Sequence, residues 1–449
     1  MLPSPRIIVI DDNPGHLRGL ADGLNSYGVA FLQVLFTGDV EGIRECPHVR
    51  VVFADLHLNE SGASNDDTRH FTVIGGLLEQ TIVPTGPYAI ILWTRYADQA
   101  DGLRRFLEVR LKDIPKPFCV VSLDKNAHLN AAGEVRDVDA LVEALASIVQ
   151  DQPQIAALLN WEERVLGASA GTVSAMIELA IAGLRPEERG QAIGRLLFRL
   201  ALEAVGSDHV ESDRFQAVNE ALLPILADRV ASLRSDADTE VWEKALEGQT
   251  PDAGLTIGEA ARLNRFLHVA DAKGSSGIDR GAVVRVPDSQ LAEFETTFGL
   301  GQEDAAEKEF LCSGFNKRND GFRWMLAQVQ ATCDFAQRRP GPLPFVLGLE
   351  MPCTAVKDST PRGAMIKCPP FESHGIPRTL HFNTRFQLAI PAATAKTLTV
   401  EYRLREALVN DIVYQLHSYG ARPGMISFRE IGRREPKPPR RASDKTEMR

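Results

Sequence analysis

The sequence predicts an α/β doubly wound, five-stranded parallel sheet at the N-terminus, then an α-helical middle, then an α+β or mostly β C-terminal domain. Three observations lead there. Over the first 150 residues, short apolar runs alternate with amphipathic stretches, the pattern of a parallel sheet covered by helices on both faces. From 151 to about 250, apolar residues recur at helical spacing. Beyond 251, Gly and Pro become frequent and short strand-like runs replace long helices. At 449 residues the chain is too long for one core. The expected domains are 1–150, 151–250 and 251–432, with a charged, proline-rich tail at 433–449 expected to be disordered.

The first strand is Ile7 to Ile10, ending in Asp11 and Asp12. Asn13 is placed to cap the next helix and Pro14 to start it. Leu17, Leu20, Leu24 and Tyr27 give that helix its apolar face, and Gly28 its stop. A second strand is read at Val29 to Phe36, and a short polar helix near Asp39 to Arg44. Val51, Val52 and Phe53 form a continuous apolar run ending at Asp55, as in a strand buried on both faces. After a polar loop, Thr72 to Thr81 reads as helix and Tyr88 to Trp93 as a buried strand ending in Thr94. A helix from about Ala97 to Leu111 leads to a fifth short strand and Lys116-Pro117-Phe118, and Val138 to Ile148 makes the last amphipathic helix.

Bulk properties narrow the function. The composition, 44% apolar and 24% charged, is ordinary for globular protein, and a net charge of −10 argues against general nucleic-acid or membrane-surface binding. Six cysteines without CxxC pairs fit a reducing compartment. With no signal-like start and no run approaching the ~18 apolar residues of a membrane span, a cytoplasmic protein without a membrane partner is expected.

Four predicted strand ends carry Asp11-Asp12, Asp55, Thr94 and Lys116. In a parallel sheet such ends lie side by side, at the edge where open α/β sheets place their sites. An aspartate at one strand end also serves as a turn cap, so Asp55 means little alone. Three carboxylates meeting there would repel one another without a hard cation, and oxygen ligands of this kind suit Mg²⁺. A hydroxyl and an ammonium complete a pocket for a phosphoryl group, with Asp55 as the attacking carboxylate.

The pieces IIVIDDNP, VVFADLHL, IILWTRY and IPKPF, in this order and spacing, resemble the receiver domain of two-component response regulators over residues about 7–125. The resemblance implies a flavodoxin-like fold with Asp55 as phosphoacceptor. It makes Asp11 and Asp12 the acidic metal pair, and the backbone carbonyl of His57 a further ligand of the Mg²⁺. Thr94 becomes the hydroxyl that closes on the phosphoryl group, Lys116 the pocket lysine, and Lys116–Pro117 a cis bond. A histidine kinase or phosphotransfer protein would be the donor, and the chain is similar to divergent receivers in bacterial conflict or phage-defence operons.

Departures from the pattern are visible. The Asp55–Thr94 segment is long, with the excess in Asn59 to Arg69 or in VPTGP before the fourth strand. Asp113 stands three residues before Lys116, where receivers carry a switch aromatic; Tyr96 is either its substitute or an ordinary surface aromatic.

In the middle, the stripes starting at Ile155, Ile193 and Phe215 read as a bundle core or as a homodimer surface, the last bent at Pro224. His209, among acids, reads as part of a solvated helix start rather than a metal ligand. In the C-terminal region strands are expected at Ala282 to Val286, Pro344 to Leu349, Thr379 to Ile390 and Thr397 to Tyr402, with a helix from about Arg403 to Tyr419. Cys333 is a candidate nucleophile if His374, His381 or His417 lies near. Cys312, Cys333, Cys353 and Cys368 with His374 form a candidate zinc set of unfamiliar spacing, and buried structural cysteines are the plain alternative. The expected function is a phosphorylation-controlled regulator acting through its C-terminal region. The competing readings are a scaffold that needs no phosphate and a receiver-regulated enzyme using Cys333.

Overall fold

The structure is a computed structural model that describes residues 5–38, 45–58, 67–82, 88–130, 132–207, 209–211, 213–233, 236–250, 254–317, 321–357 and 363–422. The chain divides into two compact units, one from residues 1–169 and 230–248, the other from 170–229 and 249–449.

The first unit opens with β1 (Ile7–Asp11), α1 (Pro14–Tyr27), β2 (Leu32–Leu35), β3 (Val51–Ala54), α2 (Asp67–Thr81) and β4 (Ala89–Thr94). It continues with α3 (Ala100–Arg110), β5 (Cys119–Asp124), the short α4 (Lys125–His128) and α5 (Val138–Gln150). The five strands run parallel in the order β2-β1-β3-β4-β5, the doubly wound arrangement expected. Period-two alternation splits the apolar residues between the two faces. Ile8, Ile10, Val52, Ile90 and Leu92 pack with α2 and α3 through Ile74, Leu103 and Leu107. Val9, Phe53, Ile91 and Trp93 pack with α1 and α5 through Leu20, Leu24, Leu141 and Leu145. Asn13 caps α1, its Oδ1 accepting from the Gly15 amide at 2.8 Å, and Gly28 ends it in the left-handed region at φ 78°.

Two elements differ from expectation. The second helix starts at Asp67, five residues earlier than the apolar pattern suggested. More consequentially, the fifth strand follows Lys116-Pro117-Phe118 rather than preceding it. The run Cys119-Val120-Val121 supplies the β-branched residues, and the Phe118 amide donates to the Tyr88 carbonyl at 3.0 Å, at the start of β4. The polar helix expected near 39–44 and the loop 59–66 lie outside the described residues.

Four helices follow: α6 (Pro153–Ile181), α7 (Pro186–Val205), α8 (Arg214–Ser232), with Pro224 inside it, and α9 (Asp236–Leu246). They do not form a unit of their own but are shared between the two. By length and composition α6 is apolar enough to cross a membrane, with a mean hydropathy of 1.3 over its most apolar window, although its apolar residues do not form one unbroken run. Its first half belongs to the first unit. Glu162 there accepts from Arg6 at 2.6 Å and from the Arg50 Nε and Nη2 at 2.8 and 3.0 Å.

The second unit carries α10 (Ile257–His268), β6 (Val269–Asp271), β7 (Ala282–Arg285), β8 (Arg323–Gln328), β9 (Pro342–Pro352), β10 (Met365–Lys367), β11 (Phe371–Ser373), β12 (Ile376–Pro391) and β13 (Val400–Leu404). They form one eight-stranded antiparallel sheet in the order β10-β12-β9-β8-β7-β13-β6, with β11 on β12. The expected strands are all present, and the closing helix spans Glu406–Gly420. That helix covers one face through Leu408, Val409, Ile412 and Leu416, and the opposite face packs on Phe294, Ala305, Phe310 and Ala395. The tail at 433–449 lies outside the described residues.

Candidate functional site

The carboxyl ends of β1, β3 and β4 meet on one edge of the parallel sheet. Asp11 is the last residue of β1, Asp55 follows β3 and Thr94 ends β4. Asp11 and Thr94 are fully buried and Asp55 is 8% exposed. Asp11, Asp12 and Asp55 each place a carboxylate oxygen within 4.8 Å of the others, the one such gathering of His, Cys, Asp or Glu among the described residues.

The cation on this edge is Lys125. Its ammonium donates to Asp11 Oδ2 and to Asp55 Oδ2, both at 2.7 Å, and lies 3.4 Å from His16 Nδ1. The side chain is 3% exposed. Lys125 starts α4 directly after β5, so the strand register that aligns Thr94 with Asp124 delivers it to the same edge. Lys116, the expected pocket lysine, is not there. It precedes β5, at the amino end of the strands, so the length of β4 separates it from the acids, about 20 Å at ~3.3 Å per residue. Its ammonium pairs with Glu108 at 2.8 Å in a largely exposed position. Lys116–Pro117, the bond expected to be cis, lies with it at the amino end of the strands. The residue three before Lys125 is Ser122, within β5, so no aromatic occupies that position either.

Two buried acids share one buried ammonium, and half-buried Asp12 stands beside them. Burial pushes the Asp11 carboxyl up to about 6, with the Lys125 charge opposing the rise and Asp55 adding to it. Burial and the Lys125 charge hold the His16 imidazole below its ordinary value, so its neutral ring can accept from the ammonium. The oxygens not taken by lysine are Asp11 Oδ1, which accepts from the Asn13 amide at 2.9 Å, and Asp55 Oδ1, which accepts from the His57 amide at 3.4 Å. With Asp12 they form an all-oxygen set whose excess negative charge fits a hard divalent cation. These residues can hold a metal ion.

His57 brings more than a backbone position. Its ring is stacked between His70 (centroids 4.1 Å apart, 23° between planes) and Tyr96 (4.0 Å, 19°). Its Nε2 is buried without a hydrogen-bond partner among the described residues. The Thr94 hydroxyl accepts from the Tyr96 amide at 3.3 Å. Tyr96 is thus a half-exposed wall of the site. Sequence reasoning missed Lys125, His16 and His70. Lys125 had a signal, the β-branched run of CVVSLD followed by a charged residue, but IPKPF competed with it and matched a known motif. The ring stack had none, because its members are 13 and 39 residues from His57.

Cys333 is exposed, with Asp334 Oδ1 3.8 Å from its sulfur. His381, one proposed base, is buried with Nδ1 2.8 Å from the Phe310 carbonyl oxygen. All six cysteines are free, and the proposed zinc set is not gathered among the described residues. Cys312 and Cys368 are buried, and burial raises their thiols to about 11 and about 12.

No family model matches the sequence, and no curated protein matches it. Among solved structures, full-length FixJ from B. japonicum is similar at 18% identity, over 52% of this chain and all of that one, with a TM-score of 0.20. A likeness of that size carries no argument, so the reading of the site rests on its own geometry and on the sheet order.

Proposed function

We propose that the N-terminal sheet is a phosphoacceptor module of the response-regulator kind, and that Asp55 takes a phosphoryl group from a histidine kinase or phosphotransfer protein and thereby controls the output of the C-terminal region. One observation carries the reading: a buried ammonium bridges Asp11 and Asp55 at 2.7 Å each, beside a buried strand-end hydroxyl. In this reading an Asp55 oxygen attacks phosphorus, the bond from phosphorus to the donor's nitrogen or oxygen breaks with its electron pair leaving on the donor, and an acyl phosphate forms. Lys125, rather than Lys116, holds one phosphoryl oxygen, and Thr94 donates to another. Asp11, Asp12, Asp55 and the His57 carbonyl would hold Mg²⁺, which when bound supplies charge neutralisation for the incoming phosphoryl group.

The test is incubation of the full chain with acetyl phosphate and Mg²⁺, followed by intact-mass measurement. Wild type gains one phosphoryl group and Asp55→Asn gains none. No gain in the wild type, or an equal gain in Asp55→Asn, refutes the reading and leaves the scaffold that works without phosphate.

A further inference from the structure

A lysine ammonium carries three N–H donors and no acceptor, so burying it calls for three partners. Two of those at Lys125 are carboxylates, Asp11 Oδ2 and Asp55 Oδ2, both at 2.7 Å. The third is His16, whose Nδ1 lies 3.4 Å away and accepts when the ring proton is on Nε2. This imidazole stands outside the acid set of Asp11, Asp12 and Asp55. Burial and the neighbouring charges of Lys125 and Arg95 hold it below its ordinary value, which keeps it neutral.

The backbone fixes this pairing. His16 is the third residue of α1, and its amide donates to the capping Asn13 Oδ1 at 3.3 Å. Helical side chains lean toward the start of their helix, which carries the imidazole over the carboxyl end of β1. Lys125 arrives from the other side as the first residue of α4, and Leu129 and Gly133, just after α4, touch α1. A methyl group at Gly19 would stand 2.5 Å from the Gly133 carbonyl oxygen and 2.9 Å from Leu129 Cδ2. Glycine there lets the two segments meet, so imidazole and ammonium keep one spacing.

The reaction proposed above takes both carboxylates away from the lysine. Asp55 gives up its charge to the new bond to phosphorus, and Asp11 is one of the residues that would hold the cation. An ammonium on a flexible four-carbon stem would then be held only by the phosphoryl oxygen it has to meet. From this arrangement we infer that His16 is a positioning residue, its Nδ1 holding the Lys125 ammonium in place while the phosphoryl group passes to Asp55. The inference rests on the phosphoacceptor reading. A neutral acceptor suits the task. A third carboxylate would cancel the charge that attracts the phosphoryl oxygens, whereas an imidazole directs the N–H donors and leaves the charge available.

Initial rates of phosphoryl gain by the full chain, read by intact mass with acetyl phosphate and Mg²⁺, decide it. His16→Ala is expected to gain the group about tenfold more slowly than wild type, because a donor that is present but misplaced loses most of its effect. Its calorimetric Mg²⁺ dissociation constant and its unfolding temperature stay at the wild-type values, which separates a misplaced lysine from a damaged site. His16→Asn, whose amide oxygen can stand where Nδ1 stands, recovers most of the rate. Should His16→Ala fail to fold, His16→Asn and His16→Gln give the answer, since the Gln oxygen reaches past that point and leaves the rate low. A His16→Ala rate equal to wild type, equal rates in the Asn and Gln variants, or a Mg²⁺ affinity that falls in step with the rate overturns the proposal. Any of these in a chain whose wild type is labelled removes this inference alone. A wild type that gains no phosphoryl group removes the phosphoacceptor reading and this inference with it.

Discussion

Asp11 decides when the site can take a cation. Its carboxyl, raised by burial to about 6, must lose its proton before it can ligate a metal. A folded-state value above the ordinary 3.8 means that the cation-free protein loses stability as pH climbs from about 4 through 6, while the cation gains a ligand over the same window. Mg²⁺ binding followed by calorimetry is therefore expected to be about tenfold weaker at pH 5 than at pH 7, with proton uptake on release. A profile flat across that range would show that Asp11 is not a ligand. The acids were legible in the sequence because each ends a strand, and a strand end in a parallel sheet has only one edge to go to. The lysine was not. Lys116 and Lys125 flank the same strand, and choosing between them required knowing on which side of Lys116-Pro117 the β-branched run pairs with β4.

At the scale of elements, burial of charge recurs in the antiparallel sheet. Glu350, near the end of β9, is fully buried, and its carboxylate meets Arg378 Nε at 2.6 Å and the Tyr402 hydroxyl at 2.7 Å, with Ser373 Oγ at 3.5 Å. Burial and the Glu350 charge push the Tyr402 phenol well above its ordinary value, so it remains a donor. Arg378→Ala would leave Glu350 without its nearest counter-charge and is expected to destabilise this unit by ~3–5 kcal/mol, read as a shift in its urea transition. A change under ~1 kcal/mol, the size of an exposed pair, would mean that water reaches Glu350. These strands were readable as short strand-like runs in a stretch where Gly and Pro are frequent. The ion cluster was not, since Glu350, Arg378 and Tyr402 come from three strands and nothing local marks them as partners.

At the scale of the whole molecule, two folds of different kind are joined by helices divided between them. The stripes of α6 to α8 read first as a bundle core and second as a subunit surface, and periodicity cannot separate the two because both need the same face. Among the described residues the buried cluster of these helices is made of small side chains, and several large ones are exposed. In the proposed reading a phosphoryl group enters at the acidic edge of the parallel sheet, and Lys125 completes that site. That reading is tested by comparing Lys125→Ala with Lys116→Ala in acetyl-phosphate labelling with Mg²⁺, both variants first shown to be folded. Lys125→Ala is predicted to lose most of the phosphoryl gain and Lys116→Ala to keep the wild-type extent; the reverse pattern, or equal labelling of both, would contradict the account.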